Sequence, residues 1–104
     1  MNQLDDQNFD AEVLQAKGVV IVDFWAVWCA PCRALAPVID DISNDYAGKV
    51  KVCKLDIESS TEIPARYGIR SIPTVLFFKD GEVVDRTVGA VPKTIIASKI
   101  DALL

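Results

Sequence analysis

Hydrophobic residues in this chain form both continuous runs and periodically spaced positions, which is typical of a protein that combines strands and helices. The β-branched run Val19–Trp25 is almost uninterrupted, as in a strand that is covered on both faces of a parallel sheet. Residues 50–57, 74–78 and 82–88 also have the composition of strands. The Asp80-Gly81 pair between the last two runs predicts a β-hairpin.

Apolar residues spaced by three and four positions predict four helices around these runs. The helices are expected over residues 5–16, 31–46, 63–67 and 92–104. Pro37 lies inside the second helix, where we expect it to kink the helix or to remove one backbone hydrogen bond. The buried face of the last helix is expected to consist of Ile95, Ile96, Ile100 and Leu103. This order of elements predicts an α/β fold, with a central mixed sheet and helices on both of its faces.

Length and charge narrow the possible functions. The 104 residues suffice for a single domain over residues 1–104. A formal net charge of −4 without a basic stripe argues against a nucleic-acid partner. The absence of histidine excludes His-based triads and His-containing zinc sites. Neither a signal peptide nor a membrane-spanning run is apparent, so we expect a soluble, cytoplasmic protein with no membrane partner.

Two of the three cysteines, Cys29 and Cys32, are three positions apart and follow the first long strand-like run. In the first turn of a helix, this spacing brings both sulfur atoms close enough to form and break a disulfide. Three thiols in a reducing compartment cannot all pair in a structural framework. A Cys-x-x-Cys pair in a strand-then-helix pattern is therefore interpreted as a redox motif.

The position of each thiol suggests its role. Cys29 is the candidate nucleophile, because the N–H groups and the dipole at a helix start favour an anionic sulfur. Cys32, one turn into the helix, is the candidate resolving thiol and is expected to be less exposed, with a higher pKa. Asp23 is a lone carboxylate in an apolar strand, so we expect burial to raise its pKa, which suits an acceptor for the Cys32 proton. The alternative is an aspartate at a strand end that reaches solvent.

Many residues, in order and at matching spacings, resemble the thioredoxin family along essentially the whole chain. They are Asp23-Phe24-Trp25-Ala26, Trp28-Cys29-Ala30-Pro31-Cys32-Arg33, Pro37, Lys54, Tyr67-Gly68-Ile69-Arg70, Ile72-Pro73-Thr74, Phe77, Gly81 and Gly89. Ala30 stands where the family usually has glycine, and Arg33 where it usually has lysine. Cys53 is an additional thiol, which we expect to be buried and structural, with a regulatory role as the alternative.

The resemblance implies a thioredoxin fold, in which four helices flank a mixed five-stranded sheet. It implies a general protein-disulfide reductase that works through a redox disulfide between Cys29 and Cys32, with no cofactor and no bound metal. The implied partners are disulfide-containing substrate proteins and an NADPH-dependent thioredoxin reductase, with a related electron source as the alternative. The chain is expected to be a monomer. Lys54 is implied as the partner of Asp23 in catalysis, and a solvent-facing lysine is the alternative.

A docking surface around Cys29 is also implied by the resemblance. The Ile72–Pro73 peptide bond would be cis and would pack against the disulfide, leaving the Ile72 backbone free to pair with an extended substrate. From the residues alone, an ordinary trans proline is equally compatible. The implied substrate-binding residues are Trp28, Ile57, Ile72, Pro73, Gly89, Ala90 and Val91. For Ile57 and Val91, plain core packing is the alternative.

Three other functions compete with disulfide reduction. An oxidase or isomerase usually works in an oxidising compartment and often has histidine between its cysteines, whereas this chain has Ala30-Pro31. The cysteine pair as half of a zinc site would need two more ligands, and only Cys53 and carboxylates are available. A non-catalytic subunit of a larger complex is compatible with the same cysteines.

Overall fold

A five-stranded mixed sheet forms the centre of the molecule in the computed structural model, which describes residues Met1–Leu104. The strands are β1 (Asn2–Leu4), β2 (Val19–Trp25), β3 (Val50–Asp56), β4 (Thr74–Lys79) and β5 (Glu82–Val88). They lie side by side in the order β1-β3-β2-β4-β5. β3 pairs in parallel with β1 and β2, whereas β4 pairs antiparallel with β2 and β5. The predicted α/β fold is confirmed.

Three α-helices and one wide helical turn pack against the sheet. They are the turn Asp10–Leu14, α1 (Ala30–Asp45), α2 (Glu62–Arg66) and α3 (Lys93–Leu103). The first turn of α1 contains Pro31, whose fixed φ angle suits that position. The helix continues through Pro37, where it lacks one backbone hydrogen bond because proline has no N–H to donate. None of the helices combines the length and apolar character that crossing a bilayer requires.

The prediction for the N-terminal segment is partly wrong. Instead of one helix over residues 5–16, Asn2–Leu4 forms an edge strand and only Asp10–Leu14 forms a helical turn. The carboxylate of Asp6, between them, accepts hydrogen bonds from the backbone N–H groups of Thr61, Glu62 and Ile63 at the start of α2. A strand of this length has too few residues to show a period of two, so the sequence pattern does not reveal it.

The sheet separates two hydrophobic layers, because side chains alternate between the two faces along each strand. Val20 and Val22 of β2 face the layer that contains α2 and the N-terminal helical turn. Val19 and Ile21 face the layer that contains α1 and α3. By the same alternation, Asp23 lies on the α1 side of the sheet. The strand therefore presents its one carboxylate beneath the helix that carries the cysteines.

Two further predictions concern the C-terminal half. Asp80 and Gly81 form the predicted two-residue hairpin turn, and both have positive φ angles, 50° and 85°. The predicted apolar face of the last helix is correct for Ile96 and Ile100, which are fully buried, and wrong for Ile95, which is 43% exposed. Consecutive helical residues point about 100° apart, so Ile95 turns away from the sheet when Ile96 faces it.

Candidate active site

The cysteine pair lies where β2 is followed by α1. The two residues form a disulfide with their Cα atoms 5.2 Å apart, a separation within the ordinary range for such bonds. Cys29 has an extended backbone and directly precedes α1, and its Sγ accepts a hydrogen bond from the Cys32 N–H at 3.1 Å. The N–H end of α1, which is also the positive end of the helix dipole, therefore points at the Cys29 sulfur.

Both cysteines are almost completely covered in this oxidised form. Cys29 is 5% exposed and Cys32 is 3% exposed, so the expected difference in exposure is small. Ile57 and Ile72 pack against the cysteine cluster, and the Cys29 Sγ lies 3.7 Å from the Ile72 carbonyl oxygen. A molecule that reaches the disulfide must therefore approach it across these neighbouring residues.

Asp23 is the only charged residue that is fully buried. Neither of its carboxylate oxygens accepts a hydrogen bond from the protein. Burial disfavours the ionised carboxylate and raises the pKa of Asp23 to about 6, although the nearby positive charge of Lys54 opposes this shift. The expected rise in the pKa is confirmed, and the alternative of a solvent-exposed aspartate is wrong.

Lys54 is placed next to this carboxylate by the sheet register. It is the partner of Asp23 across the parallel β2–β3 pairing and is half-buried. Its Nζ lies 4.8 Å from the centroid of the Trp25 ring, within the range of a cation–π interaction. Because the Asp23 oxygens have no hydrogen-bond partner, the lysine acts on the carboxylate through space. The Lys54 side chain is thus partly covered by the indole ring of Trp25.

The segment before β4 and the loop after β5 meet beside the disulfide. The Ile72–Pro73 peptide bond is cis, as the resemblance implies. The Pro73 carbonyl oxygen accepts a hydrogen bond from the Gly89 N–H at 2.8 Å. Gly89 has a φ angle of +90°, which strongly favours glycine at this position. This bond holds the loop after β5 against the segment that contacts Cys29.

The other residues of the implied docking surface differ in exposure. Trp28 and Ala90 are exposed, and Ile57 is half-buried against the cysteine cluster. Val91 is half-buried and packs against the hydrophobic layer formed with α1 and α3. Trp28 and Ala90 are therefore accessible to solvent and Ile57 is partly so, whereas Val91 is partly a core residue.

Two residues near Trp28, Val27 and Glu58, are not among the site residues expected from the sequence, and a third, Arg33, is expected there only as a departure from the family pattern. Val27 is 68% exposed. The Arg33 Nη1 donates a hydrogen bond to the Val27 carbonyl oxygen at 2.8 Å. The Trp28 indole Nε1 donates a hydrogen bond to the Glu58 Oε1 at 2.5 Å. The departure of Arg33 from the family pattern was a signal for one of them, but nothing in the sequence marks Glu58, which is thirty positions from Trp28.

Elsewhere in the molecule, Cys53 is fully buried, as expected, and burial raises its pKa to about 11.

No group of three or more His, Cys, Asp or Glu side chains is arranged to hold a metal ion. An open cavity of about 280 Å³ lies at the opposite end of β2 and β3 from the disulfide, and Lys17, Lys49 and Lys51 contribute to its lining.

A redox disulfide at the start of a helix, above a buried carboxyl group on a mixed sheet, defines the class of dithiol–disulfide oxidoreductases. The thioredoxin family model matches residues 1–102. The chain therefore belongs to the thioredoxin family, and it is a thiol–disulfide oxidoreductase that acts through Cys29 and Cys32.

Individual relatives show the same family. The chain is 55% identical over 96 residues to thioredoxin C-2 of Corynebacterium nephridii, covering 92% of this chain and 89% of that protein. It is 50% identical to a thioredoxin of Pseudomonas aeruginosa, covering 93% and 90%. It is also 53% identical to the chloroplastic thioredoxin M5 of Oryza sativa subsp. japonica, covering 93% of this chain and 56% of that longer protein.

Proposed function

We propose that this protein reduces disulfide bonds in other proteins, as a general protein-disulfide reductase. The observation that carries the proposal is the Cys29–Cys32 disulfide at the N-terminal end of α1. In the reduced protein, the same helix end stabilises a thiolate on Cys29. The exposed Trp28 next to Cys29 suits contact with a segment of protein chain as the substrate.

The reaction consists of two thiol–disulfide exchanges. The Cys29 thiolate attacks one sulfur of the substrate disulfide, forms a mixed disulfide and releases the other substrate sulfur as a thiolate. The Cys32 thiolate then attacks the Cys29 Sγ and closes the Cys29–Cys32 disulfide. The second substrate sulfur leaves as a thiolate, and both released thiolates take up protons. The substrate gains two electrons, which the cysteine pair loses.

Asp23 accepts the proton of Cys32 before the second exchange in this proposal. A carboxyl group with a pKa of about 6 is ionised at neutral pH and is basic enough to take a proton from a thiol. Burial on the α1 side of the sheet supports this role, because Asp23 is the only buried charged residue of the protein. Lys54 keeps the proton affinity of Asp23 within the useful range, since its positive charge lowers the pKa that burial raises.

The substrate docks across the surface around Cys29. Its extended segment pairs with the backbone at Ile72, whose carbonyl oxygen lies 3.7 Å from the Cys29 Sγ. The proposed substrate-binding residues are Trp28, Ile57, Ile72, Pro73, Gly89, Ala90 and Val91.

The electron donor and the location complete the proposal. We propose that an NADPH-dependent thioredoxin reductase reduces the Cys29–Cys32 disulfide after each cycle, and that the protein works as a monomer in the cytoplasm. The bacterial relatives in the same family support a cytoplasmic site. The match to a chloroplastic relative makes that organelle the alternative.

Turbidity of insulin in the presence of dithiothreitol tests the proposed activity. The wild-type protein should accelerate the precipitation of reduced insulin chains, and Cys29→Ser should abolish the acceleration. Cys53→Ser is the matched control, because it removes a thiol that is buried away from the surface. Catalysis that persists in Cys29→Ser would rule out the proposed nucleophile.

The role of Cys32 has its own test. Cys32→Ser retains Cys29 but lacks the resolving thiol, so it should form a covalent complex with an oxidised protein substrate. The complex is detected as an additional band on a non-reducing gel, and this band should disappear after treatment with dithiothreitol. If no complex accumulates while Cys29 remains reactive towards alkylating reagents, Cys32 is not the resolving thiol.

A further inference from the structure

Val27 and Trp28 are the two most exposed large hydrophobic residues of the chain, at 68% and 61%. They are adjacent to each other, and Trp28 directly precedes Cys29. We call this pair the Val27–Trp28 platform. The residue before it, Ala26, is fully buried in the cysteine cluster, and the Cys29 N–H donates a hydrogen bond to the Ala26 carbonyl oxygen at 3.2 Å. Val27 and Trp28 therefore extend from a buried, hydrogen-bonded backbone segment beside the reacting sulfur.

Two side chains from different elements hold the platform. Arg33 of α1 donates to the Val27 carbonyl oxygen at 2.8 Å, and the Trp28 indole donates to Glu58, beyond the end of β3, at 2.5 Å. Arg33 forms no ion pair with a carboxylate, although the chain contains several Arg and Lys pairs of that kind. Its identified polar contact is therefore the backbone of the platform.

We propose that Arg33 is a positioning residue, which holds the Val27–Trp28 platform in a preformed shape, and that the platform selects substrates with a bulky apolar side chain next to the reacting cysteine. This inference rests on the proposed reduction of protein disulfides. An apolar side chain that lands on Val27 and Trp28 removes apolar surface from water on both partners, whereas a small polar side chain does not. Because the platform is already held in place, little ordering is needed when the substrate docks.

The preference is measured with two matched peptides, each with one intramolecular disulfide, that differ only in Leu or Ser beside the attacked cysteine. We expect wild-type kcat/KM to be about three- to tenfold higher for the Leu peptide, the range expected for partial burial of one aliphatic side chain. In Val27→Ser, the ratio of kcat/KM for the Leu peptide to kcat/KM for the Ser peptide should fall to about half of the wild-type ratio or less. Val84→Ser is the matched control, because it removes an exposed valine from β5, and it should keep the full preference.

Arg33→Gln and Arg33→Lys test the positioning role. Arg33→Gln should raise KM for the Leu peptide about two- to fivefold, a range typical of one lost hydrogen bond at the surface, with kcat little changed. Arg33→Lys keeps a donor and the charge, so it should restore part of the loss. The rate with hydroxyethyl disulfide, which is small and uncharged, should fall less than the rate with the Leu peptide in Val27→Ser and in Arg33→Gln, because this substrate does not need the platform.

A spectroscopic measurement reports on the platform directly. In a Trp25→Phe background, Trp28 is the one remaining indole. Adding Arg33→Gln should lower its fluorescence anisotropy and increase quenching by acrylamide. Unchanged fluorescence would show that Arg33 does not hold the platform.

The outcomes separate this inference from the proposed function. Equal rates for the Leu and Ser peptides would overturn the selectivity of the platform and leave disulfide reduction intact. A loss of rate with hydroxyethyl disulfide in Arg33→Gln as large as the loss with the Leu peptide would show that Arg33 acts on the thiolate instead. If the reduced wild-type protein reduces neither peptide, the proposed function itself fails.

Discussion

Asp23 and Lys54 are register partners on two neighbouring parallel strands, and yet no hydrogen bond joins them. The carboxylate is fully buried, whereas the lysine is half-buried and extends its Nζ over the Trp25 ring. Burial raises the pKa of Asp23 to about 6, and the charge of Lys54 lowers it only in part. A buried acid that ionises near neutral pH links the stability of the protein to the chemistry of the site.

Relative to wild type, Asp23→Asn should stabilise the oxidised protein more at pH 7 than at pH 4. The folded-state pKa of Asp23, about 6, lies above the ordinary value of 3.8, so the unfolded chain loses the proton first as the pH rises. Ionisation of Asp23 therefore lowers the stability of the wild-type protein by about 3 kcal/mol between about pH 4 and pH 6. The asparagine variant lacks this loss, and urea unfolding across that pH range measures the difference.

Asp40→Asn is the control for this measurement, because it makes the same chemical change at an exposed position of α1. The difference in unfolding free energy between Asp23→Asn and wild type should grow as the pH rises. Parallel stability curves for these two proteins from pH 4 to pH 7 would show that Asp23 ionises normally in the folded state.

Lys54→Gln should raise the pKa of Asp23 further, because it removes the positive charge that opposes the effect of burial. In Lys54→Gln, the loss of stability caused by ionisation of Asp23 should then extend to a higher pH than in the wild-type protein. The carboxyl carbon of Asp23, followed by NMR, reports the pKa directly. Lys49→Gln, which changes an exposed lysine just before the start of β3, serves as the control. Identical titration curves for Lys54→Gln and wild type would exclude an electrostatic role for Lys54.

Gly81→Ala should destabilise the protein more than Gly48→Ala. Both glycines have positive φ angles, 85° and 81°, which cost an alanine about 1 kcal/mol. At position 81 a Cβ would also come within 2.4 Å of the Leu14 carbonyl oxygen, whereas position 48 has open space. We expect a loss of about 1 kcal/mol for Gly48→Ala and about 3 kcal/mol for Gly81→Ala. Equal losses in urea unfolding would show that the backbone near Leu14 moves aside freely.

Cys53 should resist alkylation in the native, oxidised protein. It is fully buried, and a pKa of about 11 leaves roughly one thiol in a thousand ionised at pH 8. Mass spectrometry after iodoacetamide treatment should show no added label until denaturant is present, and then one. The Cys53→Ala variant, which should stay unlabelled under both conditions, identifies the site. Rapid labelling of the native wild-type protein would mean that β3 opens readily.

The longer elements of this fold could be predicted from the sequence because their signals are local. Val19–Trp25 is a strand by composition and continuity, and the helical segment after Cys29 is marked by its apolar spacing and by Pro31. The turn at Asp80 and Gly81 is predicted by residue types that tolerate positive φ angles. By contrast, the edge strand Asn2–Leu4 exists through its pairing with β3, and no local pattern reports such a partner.

Within the site, too, some features follow from the sequence and others only from the tertiary structure. The spacing of Cys29 and Cys32 alone determines that two sulfurs can meet in one helical turn, and the apolar neighbours of Asp23 alone predict its raised pKa. Only the tertiary structure brings the Ile72 carbonyl oxygen to 3.7 Å from the Cys29 Sγ and joins the Trp28 indole to Glu58. It also decides that Arg33 bonds to the platform backbone. The physical reason is that these contacts join segments brought together by the sheet and helix packing, whereas propensity and periodicity describe each segment separately.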